Sequence, residues 1–158
     1  MNSSLNSETS ITSINEAYNR IRPYINKTPV LTSNTLNEIA SENRNKTKIF
    51  FKCENFQKIG AFKARGAINA ILKLSEIEAR KGVVTHSSGN HAQAIAYAAK
   101  LRNIIAHIVM PKNAPIVKIN AVKGYGAKVY FCEPNLEARE TACEKIISET
   151  GATLIQFQ

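Results

Sequence analysis

A lysine and a cup of small polar residues are the parts of this sequence best suited to chemistry. Lys63 follows Gly60, Ala61 and Phe62 and opens an apolar run (Phe62, Ala67, Ile68, Ile71, Leu72) with helical spacing. The spacing predicts that Lys63 lies in the first turn of a helix. Aligned backbone N–H groups there carry partial positive charge and lower the pKa of a nearby ammonium. An amine that is neutral part of the time can attack an aldehyde and form a Schiff base. The same residue also reads as an ordinary solvated lysine, and spacing alone leaves both readings open. The second feature is Thr85-His86-Ser87-Ser88-Gly89-Asn90-His91-Ala92-Gln93, between an apolar strand and an alanine-rich helix. Hydroxyls and backbone N–H groups at a helix N-terminus can hold a carboxylate or a phosphate. Ser, Asn and Gly are equally the residues of a plain N-cap. His91 alone is as well explained as a hydrogen-bonded core histidine.

The elements that must position these groups follow from periodicity. Residues 1–10 are polar and aperiodic, a predicted frayed tail. Ser13 and Glu16 suggest a capping box before a helix carrying Ile14, Ala17, Tyr18 and Ile21 on one face. Pro23 and Pro29 bracket its end and an extended piece, Val30-Leu31-Thr32. Ser33 is placed to cap a second helix with Leu36, Ile39 and Ala40 inward, and Ile49-Phe50-Phe51 reads as a buried strand. From Gly82 the alternation becomes regular. Strands are predicted at 83–85, 104–109, 129–132 and 153–157, and helices at 91–101, 116–122 and 136–150. That pattern argues right-handed crossovers and a parallel sheet of about four strands. Residues 82–158 therefore read as a small α/β domain, and residues 11–81 as part of a second unit with too few strands to close its own sheet.

Composition sets bounds. The 158 residues are 44% hydrophobic, enough for one core of ordinary size. Net charge is +9, spread evenly: 11 basic against 7 acidic residues over 1–79, and 10 against 5 over 80–158. No basic arm or aromatic-interleaved patch points to nucleic acid. All 12 acidic residues are glutamate, which excludes Asp-based triads and EF-hand loops. Cys53, Cys132 and Cys143 are odd in number and lack metal-ligand spacing, so no metal site is expected and the thiols read as reduced. No secretory or membrane-spanning segment is present in the sequence, which predicts a cytoplasmic protein that does not engage membranes.

Read together, the two stretches carry a resemblance. Glu54-Asn55-Phe56-Gln57-Lys58-Ile59-Gly60-Ala61-Phe62-Lys63-Ala64-Arg65-Gly66-Ala67 resembles the cofactor-lysine motif of the serine/threonine dehydratase family, fold-type II enzymes that use pyridoxal phosphate. Thr85 to Gln93 resembles the same family's substrate-carboxylate loop, and Thr28 to Ser33, Tyr97 to Leu101, Tyr125 to Ala127 and Cys132 to Pro134 extend the match. Ser88, where dehydratases usually have alanine, is similar to the serine racemase branch. The resemblance implies a tryptophan-synthase-β-like α/β fold, with residues 11–81 as the start of a large cofactor domain. It implies that Lys63 holds the cofactor and takes the substrate α-proton, that Phe62 packs on the ring and that Asn90 bonds its phenolic oxygen. Ser87, Ser88, Gly89, Asn90 and His91 would clamp the carboxylate of L-serine, D-serine or L-threonine, with Ser88 as acid/base on the opposite face. A homodimer, a divalent cation and an activating nucleotide such as ATP, held near Ser33, Lys58, Gln93 and Tyr125, are implied as well.

Some positions depart from the family. Asn34, Thr35 and Ile59 do not match the implied nucleotide positions, and Ala92 is dehydratase-like. The family cradles the cofactor phosphate in consecutive glycines, whereas the seven glycines here are never adjacent. Together with the greater length of family members, this leads to the expectation of an N-terminal portion, weakly active or inactive alone. The alternative is a non-catalytic fragment or pseudoenzyme serving as an interaction module.

Overall fold

The computed structural model describes residues 10–41 and 46–156. The predicted tail lies outside these except for Ser10, which is not frayed: it caps α1 (Ile11–Ile21). Ser10 Oγ accepts from Ser13 N at 3.0 Å, and Ser13 Oγ accepts from Ser10 N at 3.1 Å. The reciprocal cap thus starts the helix earlier than Ser13 and Glu16 suggest. β1 (Val30–Leu31) pairs antiparallel with β2 (Phe51–Lys52), and α2 (Asn34–Ser41) lies between them with Ser33 Oγ accepting from Leu36 N at 3.3 Å. The expectation of a buried strand over 49–51 and an inward Leu36 and Ile39 is corrected here. Phe50 is 60% exposed and Ile39 62%, because a two-stranded ribbon offers no second layer to cover them.

A turn with left-handed Ile59 (φ 59°) and Gly60 (φ 70°) leads into α3 (Lys63–Lys73). A short α4 (Glu76–Lys81) follows, capped reciprocally by Ser75 and Glu78. That Ser-x-x-Glu signal was legible but was not read as a separate helix. The parallel sheet comprises β3 (Val83–His86), β4 (Ala106–Pro111), β5 (Lys128–Cys132) and β6 (Thr153–Leu154), in the order β5-β4-β3-β6. The intervening helices are α5 (Asn90–Arg102), α6 (Ile116–Gly124) and α7 (Leu136–Thr150). All four predicted strands exist; the last is shorter than expected, and Phe157 lies outside the described residues.

Alternation along each strand builds three layers. Val83, Ile108 and Met110 pack with α5, α6 and α3 through Ile95, Val122, Ile68 and Ile71. Val84, Val109 and Cys132 turn the other way, onto Cys143 and Ile146 of α7. The first cluster also takes in Ile21 of α1, so one continuous core joins residues on both sides of Gly82. Burial of the alanine face of α5 (Ala92, Ala94, Ala96, Ala98, Ala99) lets α3 approach closely. That packing holds the head of α3 over the carboxyl end of the sheet.

Candidate active site

After β3 the chain steps outward to β4 and β5, and only later returns to β6 on the other side of β3. The carboxyl ends of β3 and β6 therefore form a topological switch point, where the loops leave room for a ligand. The Ser87–Gly89 turn leaves β3 at that point, with Ser87 N still bonded to Val109 O at 3.0 Å. Ser87 Oγ accepts from Gly89 N at 3.2 Å, which fixes the hydroxyl at the entrance to α5.

Lys63 faces this turn across a cleft. It lines one cleft of about 410 Å³ with Thr85, His86, Ser87, His91, Glu140 and Gln156. A second, apolar recess of about 210 Å³ lies beneath the lysine, walled by Phe62, Gly66, Ala67, Ala70 and Ile155. Lys63 Nζ sits 5.0 Å from the Phe62 ring centroid. Desolvation lowers the Lys63 pKa. The predicted direction therefore holds, though the cause is the loss of water rather than the helix terminus.

His91 is the hinge between the two cavities. Its Nε2 lies 3.1 Å from Thr85 Oγ1 and 3.4 Å from Ile155 O. Burial lowers its pKa most; the Ile155 carbonyl opposes that, and the nearby Lys63 and His86 charges lower it further. The histidine is thus both a satisfied partly buried residue and a wall of the cleft. Thr85, His86, Glu140 and Gln156 also line that cleft. Thr85 and His86 lie in a stretch already noted, but Glu140 reaches the cleft only because α7 packs back across the sheet, and no local spacing signals that.

Of the other predicted residues, Ser88, Gly89 and Asn90 stand in the turn but line neither cavity. Asn90 Oδ1 accepts from Lys118 Nζ at 3.0 Å. The implied nucleotide positions have separate settings. Ser33 caps α2, Lys58 N donates to Gln57 Oε1 at 2.9 Å, and Tyr125 meets Tyr97 edge-on at 5.5 Å. Gln93 is buried, with its Nε2 lacking a partner among the described residues.

The strap that delivers Lys63 is held by an ion pair. Arg65 Nε and Nη2 donate to the two Glu54 oxygens at 2.8 and 2.7 Å, and Thr28 Oγ1 adds a bond at 2.7 Å. The Arg65 hydrogen bonds hold the Glu54 pKa at about 2. A carboxylate whose folded pKa is depressed stabilises above its unfolded pKa and loses that contribution as pH falls through the folded value. Glu54→Gln is expected to destabilise the chain by about 2 kcal/mol at pH 7. Denaturant titrations of both proteins should show that difference shrinking from about pH 4.5 toward pH 2; a gap constant with pH would detach Glu54 from this role.

Comparison with known proteins agrees with the geometry. The family model described as pyridoxal-phosphate dependent enzyme matches residues 21–156. The chain belongs to that family. Serine racemase of Dictyostelium discoideum is 53% identical over 142 residues, 90% of this chain but 42% of the racemase. The L-threo-3-hydroxyaspartate ammonia-lyase of Saccharomyces cerevisiae is 51% identical over 140 residues, 89% of this chain and 41% of the lyase. The crystal structure of the Dictyostelium racemase superposes with a TM-score of 0.87 at 50% identity, covering 94% of this chain and 47% of that one. The chain thus spans about two-fifths of the length of the curated relatives it matches and has the α/β architecture of fold-type II enzymes.

For a member of the pyridoxal-phosphate dependent enzymes, the fit to the cofactor can be judged end by end. A desolvated lysine and an aromatic ring beside an apolar recess suit an aldehyde and a flat heterocycle. Asn90, bonded through its Oδ1 to Lys118, lines neither cavity and is not placed against this end. The phosphate end has no glycine-run counterpart in this chain. The residues present fit the reactive end.

Proposed function

We propose that the chain supplies the reactive face of an enzyme that racemises serine and eliminates ammonia from serine or threonine, active in a protein of its relatives' length. The observation that carries this reading is that Lys63, Ser87 and His91 line one cleft at the switch point of the parallel sheet. Pyridoxal phosphate, when bound, acts as an electron sink that makes the α-proton of an amino acid removable. The neutral form of Lys63 Nζ takes that proton on one side. Ser87 Oγ, the turn's backbone N–H groups and His91 orient the substrate carboxylate. Ser88 Oγ gives or takes a proton on the other side, which racemisation requires and elimination does not.

In the same reading, residues 11–81 belong to a larger cofactor domain and residues 82–158 form the small domain. The assembled protein is a cytoplasmic homodimer that binds neither nucleic acid nor membrane; no helix among the described residues is long and apolar enough to cross a membrane. The reading also includes an activating nucleotide such as ATP and a divalent cation near Ser33, Lys58, Gln93 and Tyr125, of which the unpartnered Gln93 Nε2 is the one supporting observation, for the nucleotide. The second reading is a non-catalytic fragment or pseudoenzyme that acts as an interaction module.

A fusion of this chain to the remaining part of the Dictyostelium racemase separates the two readings. Fed L-serine, it should yield D-serine and pyruvate, and a folded but inert fusion favours the second reading. In the active fusion, Ser88→Ala is expected to cut racemisation by about 100-fold or more and elimination by less than about 10-fold. Equal losses would remove Ser88 from its place.

A further inference from the structure

On the far side of α3 from the cleft, four cationic side chains converge on a recess of about 220 Å³. Its walls are Tyr18 and Arg22 at the end of α1, Asn26 and Lys27 in the following connection, Lys52 of β2, and Arg65 of α3. Only one carboxylate belongs to the group. Glu54 accepts from Arg65 on both oxygens and from Thr28 on one, so its charge is paired chiefly with Arg65. Lys52 Nζ is anchored to Thr28 O at 2.8 Å. Arg22 and Lys27 side chains and the Tyr18 hydroxyl make no hydrogen bond or ion pair of their own among the described residues. Among the described residues the recess thus gathers four cationic side chains against the one Glu54 carboxylate.

The frame beneath them is fixed. Gln57 is buried; its Oε1 accepts from Asn26 N at 2.8 Å and from Lys58 N at 2.9 Å, while its Nε2 donates to Asn26 O at 2.8 Å. Asn26 Nδ2 in turn donates to Phe56 O at 2.8 Å. The connection carrying Lys27 is thus clamped to the strap that carries Lys63, and two of the four cations are held by protein bonds. Guanidinium and ammonium groups converging on a concave site suit a compact anion of high charge, because charge-assisted bonds to phosphate are strong, and two of the four, Lys52 and Arg65, are already anchored.

We propose that this recess binds a phosphate-class dianion, a phosphomonoester group or a diphosphate, through Arg22, Lys27 and Lys52 with the Tyr18 hydroxyl as a further donor. None of Ser33, Lys58, Gln93 or Tyr125 lines it, so it is distinct from the nucleotide positions considered above.

Calorimetric titration of the 158-residue chain with inorganic pyrophosphate, in a phosphate-free buffer at physiological salt, tests the proposal. Saturable one-to-one binding is expected, with amide shifts in the proton–nitrogen spectrum concentrated between Tyr18 and Lys27. The double variant Arg22→Gln/Lys27→Gln should weaken binding by about 30-fold. The charge-matched Lys123→Gln/Lys145→Gln, on other elements, should stay within about twofold. Both pairs carry exposed side chains, and unchanged circular dichroism confirms that the variants are folded. Three results would overturn the proposal: no saturation in the parent chain, an equal loss in the charge-matched variant, or an equal loss in Lys58→Gln. The second would reduce the effect to net charge, and the third would move the anion to the nucleotide positions.

Discussion

Replacing Lys63 with alanine is expected to abolish specific covalent capture of pyridoxal phosphate by this chain. The chain has 14 lysines, and any of them can react slowly with an aldehyde. Selectivity comes from the fraction of neutral amine and from what surrounds it. Lys63 has its pKa lowered by desolvation, whereas Lys112 is pushed the other way by the Glu133 carboxylate. A lowered pKa raises the fraction of neutral amine at neutral pH. The Phe62 ring and the recess beneath then give the bound heterocycle an apolar seat. Borohydride trapping followed by peptide mass mapping should place the dominant adduct on Lys63 in the parent chain. Lys63→Ala and Lys63→Arg should both lose that adduct and the accompanying visible absorption, because arginine keeps the charge but offers no attacking amine. In the active fusion, the same variants should lower turnover by about 1,000-fold or more. An adduct spread evenly over many lysines in the parent chain would make Lys63 an ordinary surface residue.

How much of this was legible in the sequence depends on how local each signal is. The sheet and its helices were readable because apolar runs such as Val83-Val84 and Ile108-Val109-Met110 are fully buried, and Gly151 closes α7 in the left-handed region. The lysine and the Ser87 turn were readable as motifs, and the sheet's switch point explains why they meet. The ribbon around Phe50 and Phe51 was misread, since strand-like composition does not say whether a second layer covers it. Glu140 was missed for the opposite reason. It joins the cleft through the long return of α7, a contact with no sequence neighbour to announce it. The Glu54–Arg65 pair lay inside the recognised motif, but its bonds could be assigned only once the strap was seen folded against the head of α3.

A stability test on Gly82 probes the junction between α4 and β3. Gly82 follows α4 with φ 81° and ψ −172°, a conformation open essentially to glycine alone. A Cβ added there would lie 2.6 Å from Ile105 O and 3.3 Å from Ile105 Cβ. Neither neighbour can easily yield. Ile105 O is held by Val83 N at 2.9 Å, and Gly82 O accepts from Thr153 N at 3.0 Å. Any shift that relieves the contact therefore loosens β3 from both β4 and β6 at once, beneath the turn that carries Ser87. Gly82→Ala is expected to cost about 3–5 kcal/mol and to lower the melting temperature by roughly 10 °C. Gly66→Ala supplies the contrast, since a Cβ there meets nothing within 4 Å and the residue lies inside α3. That change should stabilise the chain by about 0.5–1 kcal/mol. Denaturant melts of the two variants should therefore move in opposite directions from the parent. Should Gly82→Ala fall within about 1 kcal/mol of the parent, the α4–β3 junction would be more yielding than its hydrogen bonds imply, and the rigid seat assigned to the Ser87 turn would go with it.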